Sequence, residues 1–242
     1  MIELNNVYNM DCLEGMKFIS DKSVDMIFTD LPYEQTQNDW DEIIPFEPLW
    51  EQYNRIIKDR GAIVLFGNGL FTAKLIMSNP KMWRYNLVWE KTTPTGHLNA
   101  KKMFLRKHED ICVFYKKLPV YNPQKTTGHK PVNSYTKHQD DGSNYGKTKV
   151  GISGGGSTER YPTSILKFAT DKQKCALHPT QKPLALCEYL IKTYSNEGDL
   201  VLGSCAGSGT ILLAAKKLGR NYIGFEREKE YFDIAKERIC GL

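Results

Sequence analysis

No apolar run in this 242-residue chain approaches the roughly 20 residues that a membrane-spanning helix needs. The opening MIELNNVYNMD also lacks the basic start and following apolar stretch of a secretion leader, so the sequence reads as neither spanning nor secreted. Cysteine is sparse. The six residues, at positions 12, 112, 175, 187, 205 and 240, include no C-x-x-C and no Cys–His pairing at zinc spacing. That excludes a disulfide framework, gives no reason to expect a metal, and fits a reducing cytoplasm. With 40% hydrophobic and 25% charged residues the chain has the proportions of a folded globular protein, and its length allows a full core.

Acidic residues are scarce in the middle. From Lys91 to Lys182 there are 17 Lys and Arg against 6 Asp and Glu, a balance of +11, while the remainder carries −6 and the whole chain +5. All five histidines (97, 108, 129, 138 and 178) lie in this stretch with Tyr115, Tyr121, Tyr135, Tyr145 and Tyr161. Cations interleaved with aromatics suit phosphate neutralisation and base stacking. A basic face that serves only solubility is the alternative.

The hydrophobic pattern is that of an α/β protein. Val24 to Thr29 and Ala62 to Gly67 are short continuous apolar runs, the mark of buried strands, and the helical spacing of Pro48 to Lys58 separates them. Asn86 to Glu90 and Asp110 to Tyr115 read as further strands. Leu184 to Tyr194 and Thr210 to Leu218 then read as helices, and Asp199 to Cys205 and Asn221 to Glu226 as strands, giving at least six strands. Lys116 to Lys174 breaks the pattern, with Gly142 to Gly146 and the GISGGGS run at 151–157. It reads as an inserted module between parts 1–115 and 175–242.

Two constellations carry chemistry. Gly203-Ser204-Cys205-Ala206-Gly207-Ser208-Gly209-Thr210 follows a predicted strand and opens a predicted helix. Gly207 and Gly209 there let a ligand lie against bare backbone amides, and Ser208 or Thr210 can satisfy free N–H groups of the helix. Glu226 ends the next strand 17 residues after Gly209, where an acidic side chain grips ribose hydroxyls in nucleotide-binding folds. Together they imply an adenosine-type ligand, with tight packing as the bland reading. Asp30-Leu31-Pro32-Tyr33 stands at the carboxyl end of a strand. The Asp30 carboxylate and the Leu31 carbonyl can accept protons of an exocyclic amine, and Tyr33 offers a face for an extruded base. A simple strand-ending turn is the alternative.

Asp30-Leu31-Pro32-Tyr33 resembles the D-P-P-Y signature of amino-group DNA methyltransferases, and residues 203–210 resemble their D-P-F-x-G-S-G-T cofactor loop. His178-Pro179-Thr180-Gln181-Lys182-Pro183 is similar to their H-P-T-Q-K-P, and Asp11-Cys12-Leu13 to the turn that holds the cofactor's adenine. Trp89-Glu90-Lys91 and Arg106 to Asp110 fall where such enzymes place W-x-K and R-x-x-E elements. The order, with the catalytic motif first, the variable module second and the cofactor loop last, resembles the circularly permuted β class. The resemblance implies a seven-stranded Rossmann-like sheet with a target-recognition insert at 116–174. It implies that S-adenosylmethionine is bound by Asp11, Cys12, Asp30, Thr180, Gln181, Lys182, Cys205, Gly207, Gly209, Thr210 and Glu226. Asp30, Leu31, Pro32 and Tyr33 would then handle a base flipped from double-stranded DNA. Asp in the first position is similar to the N6-adenine enzymes, with cytosine N4 as the alternative acceptor. Gly203 departs from the pattern where Asp is usual, so a carboxylate contact to the cofactor would be missing; a relative that binds DNA with little catalysis is the reading this departure leaves open, and a nicotinamide-dependent oxidoreductase would share the glycine loop and Glu226. A homodimer, a cognate restriction endonuclease of a restriction-modification system, and a bacterial or phage-infected cell are what the resemblance adds on partners and place, with no membrane.

Overall fold

The computed structural model describes residues 2–34, 42–138, 150–171 and 181–241. Cys175, His178, Pro179 and Thr180, along with Trp40 and the Gly142 to Gly146 stretch, lie outside the described residues. The chain divides into one compact unit of residues 1–122 and 164–242 and a second of residues 123–163.

In chain order the first unit contains β1 (Asn6–Asn9), α1 (Cys12–Met16), β2 (Val24–Thr29), α2 (Phe46–Ile56), β3 (Ile57–Gly67), α3 (Leu70–Ser78), β4 (Trp83–Thr95) and β5 (Arg106–Phe114). Among its described residues the second unit holds the two-residue strands β6 (Tyr135–Thr136) and β7 (Ser153–Gly154), paired antiparallel, and an isolated bridge between Thr126 and Arg160. The first unit resumes with β8 (Ile165–Phe168), α4 (Leu184–Tyr194), β9 (Leu200–Gly203), α5 (Thr210–Lys217), β10 (Asn221–Glu226) and α6 (Lys229–Cys240). No described helix is long and apolar enough to cross a membrane.

Eight strands form one sheet in the order β1-β10-β9-β2-β3-β5-β4-β8. The strands from β1 to β3 are mutually parallel, β5 runs against β3 and β4, and β8 lies parallel to β4. The expected seven strands are therefore exceeded by β8. Its four residues fall inside the 116–174 stretch but pair with Val88 to Lys91 at the sheet edge.

Helices cover both faces, which is why the central strands read as unbroken apolar runs. Along β2, Met26 and Phe28 point into the core under α4 and α5, while Val24 and Ile27 point into the core under α1 to α3. In β3, Val64 and Phe66 alternate with Ile63 and Leu65 in the same way. The chain runs outward from β2 through α2 to β3 on one side, and from β9 through α5 to β10 on the other. The adjacent strands β2 and β9 thus flank the point where the connections reverse, and ligands of open α/β sheets bind at the carboxyl ends of strands there.

Candidate active site

Both chemical loops leave the sheet at this point. Asp30 follows β2 directly, and the glycine loop follows β9. They are tied together underneath, because the Ser204 backbone N–H donates to Thr29 Oγ1 at 2.7 Å and Ser204 Oγ lies 3.2 Å from the same atom. Ser204 Oγ also shares a 2.6 Å hydrogen bond with the Tyr53 hydroxyl of α2 in a fully buried position. Serine in this place supplies an N–H and a hydroxyl, and both are used. Tyr53→Phe is expected to cost about 1 to 2 kcal/mol, the worth of a buried hydrogen bond with its partner left behind. A denaturant titration checks it through a lower midpoint at unchanged slope.

The glycine loop closes onto the end of β10. Glu226 accepts the Gly207 N–H at 2.7 Å through one carboxylate oxygen and the Glu228 N–H at 2.9 Å through the other. Burial pushes its carboxyl above the ordinary carboxylate value, against the pull of those backbone donors. Gly207 and Gly209 have φ of 51° and 76°, the left-handed region that glycine adopts without a Cβ penalty. A Cβ on Gly209 would also meet Ala235 Cβ at 3.0 Å, so this glycine lets α5 approach α6. From α6, Arg238 donates to the Ser208 carbonyl at 3.0 Å and to Thr210 Oγ1 at 2.8 Å, bracing the loop from behind.

Facing the loop is a buried ladder of alternating charges. Tyr33 donates its hydroxyl to Asp30 Oδ1 at 2.5 Å, and Lys182 Nζ lies 2.9 Å from Asp30 Oδ2 and 3.0 Å from Glu109 Oε2. Glu109 Oε1 in turn lies 2.5 Å from Lys91 Nζ. Burial raises the Asp30 carboxyl above its usual value, opposed by Lys182. Burial works against the Lys182 ammonium too, but the Asp30 and Glu109 carboxylates outweigh it and hold the lysine charged. Glu109 is also buried, yet Lys182 and Lys91 keep it below its usual value. Burial, then Asp30 and Glu109, drive the Tyr33 hydroxyl far above the usual phenol range, so it stays a donor. The Tyr33 ring packs against Phe71 with centroids 4.7 Å apart.

A cavity of about 610 Å³ joins these parts. Of the residues singled out in the sequence, Asp11, Cys12, Asp30, Leu31, Pro32, Tyr33, Gln181, Lys182, Cys205, Gly207, Thr210 and Glu226 all line it. Gly209 lies behind, against α6, and Thr180 is outside the described residues. Asp11 has a local task as well, since its carboxylate caps α1 by accepting from the Leu13 and Glu14 N–H groups. Lys182 sits inside the structure on Asp30, and Pro183 is the N-cap of α4. Gly203 ends β9, where a Cβ would meet the end of the Leu212 side chain at 3.0 Å. The ladder members Lys91 and Glu109 carried no assigned role in the sequence. Their signal was present as W-x-K and R-x-x-E, but only the β4–β5 pairing and α4 bring them to Lys182.

The sequence matches the family model described as DNA methylase over residues 24–237. The Type II methyltransferase M.HinfI of Haemophilus influenzae is 30% identical, over 98% of this chain and 68% of that protein. The crystal structure of the M1.HpyAVI–SAM complex superposes with a TM-score of 0.66 at 26% identity, covering 97% of this chain and 98% of that one. The cytosine-N4-specific PvuII DNA methyltransferase shares the fold, with a TM-score of 0.69 at 15% identity over 96% of this chain and 85% of that one.

Proposed function

Since the chain belongs to the N6/N4 DNA methylase family, we propose that it transfers a methyl group from S-adenosylmethionine to the N6 amine of adenine in double-stranded DNA, with the permuted motif order of the β class. The observation that carries this reading is the shared cavity. The Asp30–Tyr33 turn and the Gly207–Glu226 loop arise from neighbouring strands and line one space.

The residues present suit the cofactor. The cavity volume falls in the range of roughly 300–1,000 Å³ typical of small-molecule sites. Glu226 spends one lone pair of each oxygen on a backbone N–H and retains others for ribose hydroxyls, while Met10, Ile211 and Phe225 supply apolar walls for an adenine ring. The bound cofactor would supply a methyl group already activated on a sulfonium. What the protein must add is placement and the exclusion of water.

Asp30 accepts N–H bonds from the exocyclic amine, which keeps the nitrogen electron pair available for attack. Tyr33, braced on Phe71 and held by Asp30, presents its ring to the flipped base. Adenine is preferred over cytosine because Asp leads the tetrapeptide.

Incubation with S-adenosylmethionine and unmethylated bacterial DNA, then digestion to nucleosides and chromatography, tests this reading. N6-methyladenine is the expected product. N4-methylcytosine would move the acceptor, and no product despite DNA binding would overturn the activity.

A further inference from the structure

The hairpin joining β4 to β5 leaves the sheet at the same end as Asp30. Asp110 of β5 pairs with Gly67, the last residue of β3, so the stretch back to Arg106 projects four residues, about 13 Å, beyond the carboxyl edge. Thr93, Pro94, Thr95 and Arg106 from its stem line the cavity rim.

The tip is folded. Gly96 takes φ of 91°, a single 3₁₀ turn spans His97–Asn99, and the Asn99 carbonyl accepts from Lys102 N at 2.8 Å and Met103 N at 3.0 Å. Yet this ordered turn holds Leu98 and Phe104 fully in solvent, each with a relative exposure of 101%, and Met103 at 64%. Single exposed apolar side chains are commonplace, but a cluster on one projecting loop marks a surface built to meet something. The chemistry of the surroundings says what. Between residues 92 and 108 there are Lys101, Lys102, Arg106 and Lys107, and no Asp or Glu. Lys107 is engaged by Glu90 at 3.0 Å. A cationic collar around an apolar tip matches a polyanion with an apolar interior, which is a base-paired duplex.

We propose that this hairpin is a wedge that enters the DNA duplex, with Phe104 and Leu98 filling the stack vacated by the flipped base while Lys101, Lys102 and Arg106 hold the flanking phosphates. The inference rests on the proposed base-flipping reading. Removing a base leaves a gap in the stack, and an apolar side chain that fills it lowers the cost of the open state. The wedge is separate from the 116–174 module, so opening the duplex and choosing the sequence fall to different parts of the chain.

The test uses the full chain and a duplex carrying the motif that the wild-type enzyme methylates, found by sequencing its methylated product. A second duplex is identical but has an abasic position opposite the target base, so the base is already unpaired. The variant Leu98→Ala/Phe104→Ala is expected to lose on the order of 10- to 100-fold in kcat/KM on the paired duplex, the scale of lost base stacking. On the pre-opened duplex it should stay within about threefold of wild type, with unchanged S-adenosylmethionine binding by calorimetry as the check of folding. Equal loss on both duplexes, or no loss on the paired one, overturns the wedge. So does a halved sedimentation mass in the variant, which would assign the patch to self-association. A wild-type enzyme that yields no methylated DNA in the sequencing step, so that no motif is found, would instead bring down the proposed function, and the wedge with it.

Discussion

Asp30→Asn is expected to lower kcat for methyl transfer by about 10² to 10⁴-fold, the usual cost of losing a positioned acid–base or electrostatic group. Asparagine keeps the shape but replaces one acceptor oxygen by a donor and removes the charge, so the amine proton that the Leu31 carbonyl does not take loses its anionic acceptor. The fold should survive, because Lys182 keeps Glu109 at 3.0 Å and Tyr33 keeps its packing on Phe71. Cofactor affinity should change by no more than roughly tenfold, the worth of one hydrogen bond. A kcat within tenfold of wild type, measured with saturating DNA and cofactor, would sink the assignment. The same residue is expected to set the acid side of the pH profile. On the proposed reading activity requires the ionised carboxylate, and burial raises its pKa, so turnover should fall on acidification at a pH above the usual aspartate value.

The fold was legible where periodicity and burial agree. Val24–Thr29, Leu184–Tyr194 and Asn221–Glu226 are residue for residue the elements the apolar pattern marks out, because strands covered on both faces and an apolar-striped helix leave little ambiguity. Strand β1 and helices α1, α3 and α6 were not read from the pattern. β1 and α1 are four and five residues long, too short for a period to emerge, and β8 takes its strand identity from pairing with β4 and not from its own composition. In the site, Asp30 and the glycine loop were visible because each motif is contiguous. The ladder was not, since Lys91, Glu109 and Lys182 are far apart in sequence and meet only through the β4–β5 register and the turn into α4. Nor was Tyr53, whose helical spacing marks it as core, while its hydroxyl matters only because Ser204 arrives opposite it.

Lys182→Met should be the most destabilising single change at the site. The ammonium is shared by two buried carboxylates, and removing it leaves Asp30 and Glu109 facing one another with Lys91 as the cation paired to Glu109 among the described residues. Breaking a buried pair by deleting one partner costs about 3 to 5 kcal/mol, which for a domain of this size is a fall in Tm of roughly 6 to 20 °C. The half-exposed pair of Lys217 and Glu188, 3.9 Å apart, provides the contrast: Lys217→Met should cost less than about 1 kcal/mol. The stabilisation that Glu109 and Lys182 contribute is complete at neutral pH, whereas Asp30, whose carboxyl burial raises, opposes folding there and ceases to do so on acidification. Glu109, held below its usual value, contributes above the ordinary carboxylate range and loses its contribution on acidification; Lys182, held above its usual value, contributes until the pH rises through its own titration. Lys182 also pulls the Asp30 carboxyl down, so its loss leaves burial unopposed there. The acid limb of methyl transfer in whatever Lys182→Met protein folds should therefore move to higher pH than in wild type. A Tm within about 3 °C of wild type would show that the ladder contributes less than roughly 1.5 kcal/mol, and an unmoved acid limb would show that Lys182 does not keep Asp30 ionised.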